Sequence, residues 1–176
     1  MNPVSEAACT GAALFTDLVG FTAYTDSVGD AAAVGLLDRQ TEIVGSVLQR
    51  DSAGRLVKEL GDGLMIWFDS ADAGLAGAVE LMHAIEDARR EGSFPLAVRM
   101  GLHHGEAIER GDDLVGQTIN IAARVSALAG PGELLVSDDV MGACARAGDG
   151  LLASPIGPVS VKGVSAPVWL QRIDVA

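Results

Sequence analysis

Residues 55–68 read RLVKELGDGLMIWF, two β-prone runs at 55–60 and 64–68 separated by Gly61-Asp62-Gly63. An acid between two glycines is turn chemistry, so the stretch is expected to form a β-hairpin. A hairpin pairs its strands antiparallel. It lies in the middle of a chain whose other segments alternate between strand and helix patterns. A purely parallel sheet is therefore excluded, and an α+β architecture is expected.

Upstream, residues 12–18 form a short apolar run ended by Asp17, expected as a buried strand. Residues 21–28 predict a short helix. Asp30 is a candidate N-cap for a longer helix over 31–50, with Val34, Leu37, Val44 and Leu48 as its buried stripe. Downstream, Ser70 and Asp72 can cap a third helix reaching about Arg90, with Leu75, Ala78, Met82 and Ile85 facing the core. Residues 95–109 predict a long strand, 110–116 a loop, and 118–128 a helix stopped by Gly130-Pro131-Gly132. Ile121, Val125 and Leu128 are the expected core face of that helix. A strand over 133–137, a connection over 138–150 and two tail strands near 159–161 and 168–173 complete the chain, with Pro167 at an edge. The order β-α-α-β-β-α-β-α-β with a β-rich tail predicts a ferredoxin-like sandwich. Its sheet is mostly antiparallel, with helices packed on one face. One domain is expected over residues 1–176, with a core from about 12 to 173.

Composition narrows the function. Of 176 residues, 49% are hydrophobic, enough for a core with apolar surface left for a partner subunit. The net charge of −12 disfavours nucleic acid and anionic membranes as partners. No uncharged apolar run reaches the length of a membrane span, and residues 1–13 show no basic leader pattern, so no signal peptide is expected in them. Cys9 and Cys144 have no metal spacing and read as free thiols, so a cytoplasmic location is expected. Two lysines stand against ten arginines, which makes Lys58 and Lys162 worth locating.

Several residues carry possible chemistry. Asp17 ends a strand and is followed by the turn-forming Gly20, so a carboxylate and free backbone N–H groups meet at one spot. Asp17 can hold a metal ion there or simply cap the next turn. Asp62 is either a turn residue or a second metal ligand beside Asp17. Two carboxylates that share a site repel unless a cation sits between them. Lys58 shares a strand face with Asp62 and can aim at another part of the same ligand. Asn120 and Arg124, spaced i and i+4 on one helix face, can grip a ribose and a triphosphate or form a solvated face. His103 and His104 point to opposite faces of their strand and read as packing or edge residues. Phosphate-loop, GxGxxG and GxSxG signatures are absent.

Three segments, FTDLVGFT (15–22), KELGDG (58–63) and DLVGQTINIAAR (113–124), occur in an order that resembles the catalytic domain of class III nucleotidyl cyclases. The resemblance extends from about residue 12 to 173. It implies that Asp17 and Asp62 bind two divalent cations, Mg²⁺ or Mn²⁺. Lys58 and Asp113 would read the purine edge, a pair that favours adenine. Asn120 would orient the ribose, Arg124 would stabilise transition-state charge, and Lys162 would meet the phosphates. The implied reaction is adenylyl cyclase chemistry, ATP to 3′,5′-cyclic AMP and pyrophosphate. The implied assembly is a homodimer with two shared active sites. One protomer would give the aspartates and the other the remaining residues. Guanylyl cyclase activity and a catalytically silent cyclase-like module are the competing readings. A diguanylate cyclase is disfavoured because GG[DE]EF is absent.

Overall fold

The computed structural model describes residues 6–51, 54–145 and 150–175. Strand β1 (Glu6–Leu18) leads through α1 (Phe21–Val28) and α2 (Asp30–Asp51) to the expected hairpin, β2 (Gly54–Leu60) and β3 (Gly63–Phe68). Then follow α3 (Ala71–Arg90), β4 (Val98–Arg110), β5 (Asp113–Val115), α4 (Gln117–Leu128), β6 (Leu134–Ser137), α5 (Asp138–Ala143), β7 (Ala153–Val159) and β8 (Val168–Ile173). The sheet runs β2-β3-β1-β4-β6-β8-β7, with β5 also pairing β4. Every pairing is antiparallel except β4 with β6.

Helices cover both faces of this sheet rather than the single face expected. One core joins α2 and α3 to Ala12 and Leu14 of β1, Ile66 and Phe68 of β3, and Met100 and Leu102 of β4. The alternate residues Ala13, Phe15, Met65 and Trp67 point the other way and meet Ile119 and Ala122 of α4. β1 and β3 are apolar on both faces, which is what a strand buried on both sides requires. The continuous run LMIWF carried this signal.

Of the expected α2 stripe, Val44 is buried and Leu37 and Leu48 are partly buried against the core, whereas Val34 is 55% exposed. The other buried positions are Ala33, Leu36, Gln40, Ile43 and Val47. Small residues around Val34 left the first turn's inward position open from pattern alone. Asp30 lies inside the helix, not before it. On α4, Leu128 is 51% exposed, while Ile121 and Val125 are buried as expected. The loop over 110–116 contains the short strand β5, and the connection after 138 begins with α5. The first tail strand lies earlier than expected, and Pro155 and Pro158 of β7, not Pro167, occupy the sheet edge. The α3 stripe and its cap stand: Leu75, Ala78, Met82 and Ile85 are buried, and the Ser70 hydroxyl accepts from the Ala73 N–H at 3.1 Å.

α4 lies directly on β4 because Gly101 has no side chain. A Cβ there would sit 2.1 Å from the Ser126 backbone nitrogen. Gly101→Ala is expected to cost about 3 kcal/mol, since the obstacle is helix backbone that cannot rotate away. Chemical denaturation will check this: an unchanged midpoint would mean that α4 shifts freely.

Candidate active site

Asp17 is the last residue but one of β1, and the β2–β3 turn presents Asp62 beside it. The antiparallel register pairs Thr16 with Leu64, so the strand end and the turn lie side by side. Gly63 permits this approach; a Cβ there would meet the Thr16 carbonyl at 2.7 Å. Asp62 is pushed above the usual aspartate range, first by desolvation and also by the charge of Asp17. Two neighbouring carboxylates with this conflict form a hard-oxygen donor set that suits Mg²⁺ or Mn²⁺. Among the described residues no third His, Cys, Asp or Glu joins them.

Arg99 of β4 lies across from Asp17 in the β1–β4 register. Its Nε donates to Asp17 Oδ2 at 2.7 Å. Both side chains are about one-third exposed. Asp17, Arg99, Leu60 and Gly63 line a cleft of about 240 Å³ closed by Ala123, Ser126 and Ala127 of α4. Arg99 was not singled out in the sequence. Its alternation with Val98, Met100 and Leu102 marks it as facing differently, but its partner depends on a pairing between distant strands.

The second cluster joins β2 to β5. Lys58 Nζ donates to both carboxylate oxygens of Asp113 at 2.7 and 2.8 Å. Asp113 Oδ1 also accepts from the Leu114 N–H at 2.8 Å. Lys58 chiefly holds the Asp113 carboxyl below its usual range. The pair therefore favours the fold above the ordinary aspartate pKa and loses that contribution as pH falls through the lowered one. The Asp112 backbone carbonyl accepts from Arg55 at 3.5 Å.

Asn120 and Arg124 are exposed on α4, one turn apart. Lys162 is exposed in the loop before β8. So within one chain the fold joins Asp17 to Asp62 and Lys58 to Asp113. Asn120, Arg124 and Lys162 remain at the surface. A larger groove of about 920 Å³ lies between the start of α4, α5 and the β7–β8 loop, and none of these seven residues lines it. His103 borders that groove but is buried, 2.7 Å from the Ser137 hydroxyl, with its basicity lowered by desolvation.

A mostly antiparallel sheet with its first-strand acid beside a hairpin acid places the fold among nucleotidyl cyclase catalytic domains. The chain belongs to the adenylate and guanylate cyclase catalytic domain family, whose profile matches residues 5–171. An uncharacterized protein of Mycobacterium bovis is 35% identical over 157 residues, 88% of this chain and 38% of that protein. A pH-sensitive adenylate cyclase of Mycobacterium tuberculosis is 31% identical over 164 residues, 90% of this chain and 39% of that one. The chain thus spans less than half the length of these relatives. The catalytic core of a rhodopsin-guanylyl cyclase with converted specificity, in complex with ATPαS, superposes with a TM-score of 0.86 at 18% identity. That match covers 97% of this chain and 98% of the other. Among the described residues no helix is long and apolar enough to cross a membrane.

Proposed function

We propose that this chain is the catalytic domain of an adenylyl cyclase, forming 3′,5′-cyclic AMP and pyrophosphate from ATP as a homodimer. The observation that carries the reading is the Lys58–Asp113 pair, held at 2.7 Å on a surface that neither residue buries fully. Adenine offers an N6 donor and an N1 acceptor. Asp113 accepts from the first and Lys58 donates to the second. Guanine shows the reverse pattern at that edge and is rejected.

Asp17 and Asp62 would hold two divalent cations, which would supply positive charge to acidify the ribose 3′-hydroxyl and offset the phosphates. Asn120 positions the ribose so that O3′ faces the α-phosphorus. The O3′–P bond forms while the bond from that phosphorus to the bridging oxygen breaks. Pyrophosphate departs with the electron pair, and the hydroxyl proton passes to water. Arg124 places a fixed positive charge against the oxygens that gain charge. Lys162 meets the phosphate tail. Arg99 offsets the charge of Asp17.

The dimer is supported by what the single chain leaves exposed. Leu60 beside the Asp62 turn, Val115 beside Asp113 and Leu128 at the end of α4 are 46%, 39% and 51% exposed. Apolar residues bordering exposed polar site residues suit a partner copy. The free thiols of Cys9 and Cys144 fit a reducing, cytoplasmic setting.

Incubation with ATP and with GTP, each with Mn²⁺ and then Mg²⁺, tests the reading by product chromatography. Cyclic AMP from ATP with little cyclic GMP from GTP is expected. Dominant cyclic GMP would transfer the chain to guanylyl cyclases, and no cyclic product from folded dimer would leave a silent nucleotide module. Lys58→Met is expected to reduce kcat/KM for ATP about tenfold by leaving the adenine acceptor unpaired, with a smaller effect on GTP. Equal losses for both nucleotides would remove Lys58 from base selection.

A further inference from the structure

α2 presents an apolar stripe to the sheet with one exception. Ala33, Leu36, Ile43, Val44 and Val47 are buried, and so is Gln40, at 1% exposure. A leucine or methionine at that position would continue the stripe. A buried amide costs free energy unless it is hydrogen-bonded. Local rules broken in this way concentrate at functional sites.

The Gln40 amide reaches the seam between the end of β1 and the β2–β3 turn, where Asp17 and Asp62 lie. Its Nε2 lies 3.4 Å from the Thr16 hydroxyl and 3.5 Å from the Asp62 backbone carbonyl, both longer than an ordinary N–H···O bond, so each contact is weak. Thr16, 3% exposed, precedes Asp17. Its hydroxyl also accepts from the Leu64 N–H, just past the turn, at 3.3 Å. One side chain from α2 thus touches the residue before one carboxylate and the backbone of the other.

We infer that Gln40 is a positioning residue that sets the spacing of Asp17 and Asp62, and hence the affinity of their site for divalent cations. The inference rests on the proposed metal role of that pair. Gln40 touches no reacting group; it acts through Thr16 and the Asp62 backbone. Residues that orient metal ligands in this way typically change metal affinity or activity tenfold or more when lost.

The test compares wild type with Gln40→Met, which keeps length and volume and removes the donor. Mn²⁺ binding is read by the electron paramagnetic resonance signal of the free ion. Turnover is read as a function of Mn²⁺ and of ATP. Expected are an unchanged or raised melting temperature, about tenfold weaker Mn²⁺ binding, and a matching rise in the Mn²⁺ needed for half-maximal rate. KM for ATP at saturating Mn²⁺ is expected to hold. A folded Gln40→Met chain with wild-type Mn²⁺ affinity overturns the inference. So does a lowered melting temperature without a change in Mn²⁺ binding, which would make Gln40 a packing residue. If Gln40→Met does not fold, Thr16→Val and Thr16→Ser decide. Weaker Mn²⁺ binding in the valine variant, restored by serine, supports the network; wild-type binding in both overturns it. A wild-type chain that binds Mn²⁺ but makes no cyclic nucleotide would sink the proposed reaction and leave the Gln40 comparison standing.

Discussion

Asp17→Ala is expected to lower ATP turnover about a thousandfold or more while leaving the fold standing. The core of β1 rests on Ala12, Ala13 and Leu14, each fully buried, and Asp17 lies beyond them at the strand end. The loss that does occur is the ion pair with Arg99. Both partners are about one-third exposed, so solvent screening limits its worth to under about 1 kcal/mol. A second effect works the other way. Asp62 has a raised pKa, for which the charge of Asp17 is a secondary cause after desolvation. An acid with a raised folded pKa favours the fold below its ordinary pKa, and that contribution is lost as pH rises through the raised value. At neutral pH wild type therefore carries a repulsion that the alanine variant relieves. The two terms oppose each other, so a melting temperature close to wild type is expected at pH 7. Circular dichroism melts and ATP turnover at saturating Mn²⁺ check both halves. Substantial turnover in the variant would end the metal assignment for Asp17. Global unfolding would show that the acid is structural.

What the sequence made legible follows from range of interaction. The β2–β3 hairpin was readable because Gly61-Asp62-Gly63 and its flanking runs are contiguous. The α3 stripe was readable because nothing in it competes at a neighbouring phase. On α2 only Val34 was misplaced: Leu37, Val44 and Leu48 meet the core, and the neighbouring Ala33 faces inward where the pattern alone offered Val34. Lys58 and Asp113 were named from segments far apart in the chain, and the fold brings them to 2.7 Å. Arg99 and Gln40 escaped notice for one reason. Each acquires its meaning from a partner on another element: Asp17 through the β1–β4 register, and Thr16 with the Asp62 carbonyl through α2 packing. An arginine in a strand or a glutamine in a helix has no local signature of such work. β5 was hidden in a loop because three residues are too few to show alternation.

Mixing Asp17→Ala with Arg124→Ala chains is expected to restore activity that neither has alone. The argument starts from separation within one chain. Asp17 and Asp62 share one corner with Arg99, whereas Arg124 is exposed on the outer face of α4. If two copies face each other about a two-fold axis, each site takes its aspartates from one copy and Arg124 from the other. A mixed dimer then holds one site with both defects and one with none. Random exchange of equal amounts makes about half the dimers mixed, each with one working site of two, so recovery of about a quarter of wild-type activity is expected. The measure is ATP turnover after subunit exchange, with mixed-dimer content followed by differently tagged chains. Recovery that scales with mixed-dimer content is the expected signature. If every site were built within one protomer, each chain would keep its own defect, and mixing would restore nothing. Mixed dimers without activity would therefore confine the site to a single chain, and the exposed Leu60, Val115 and Leu128 would need a different explanation.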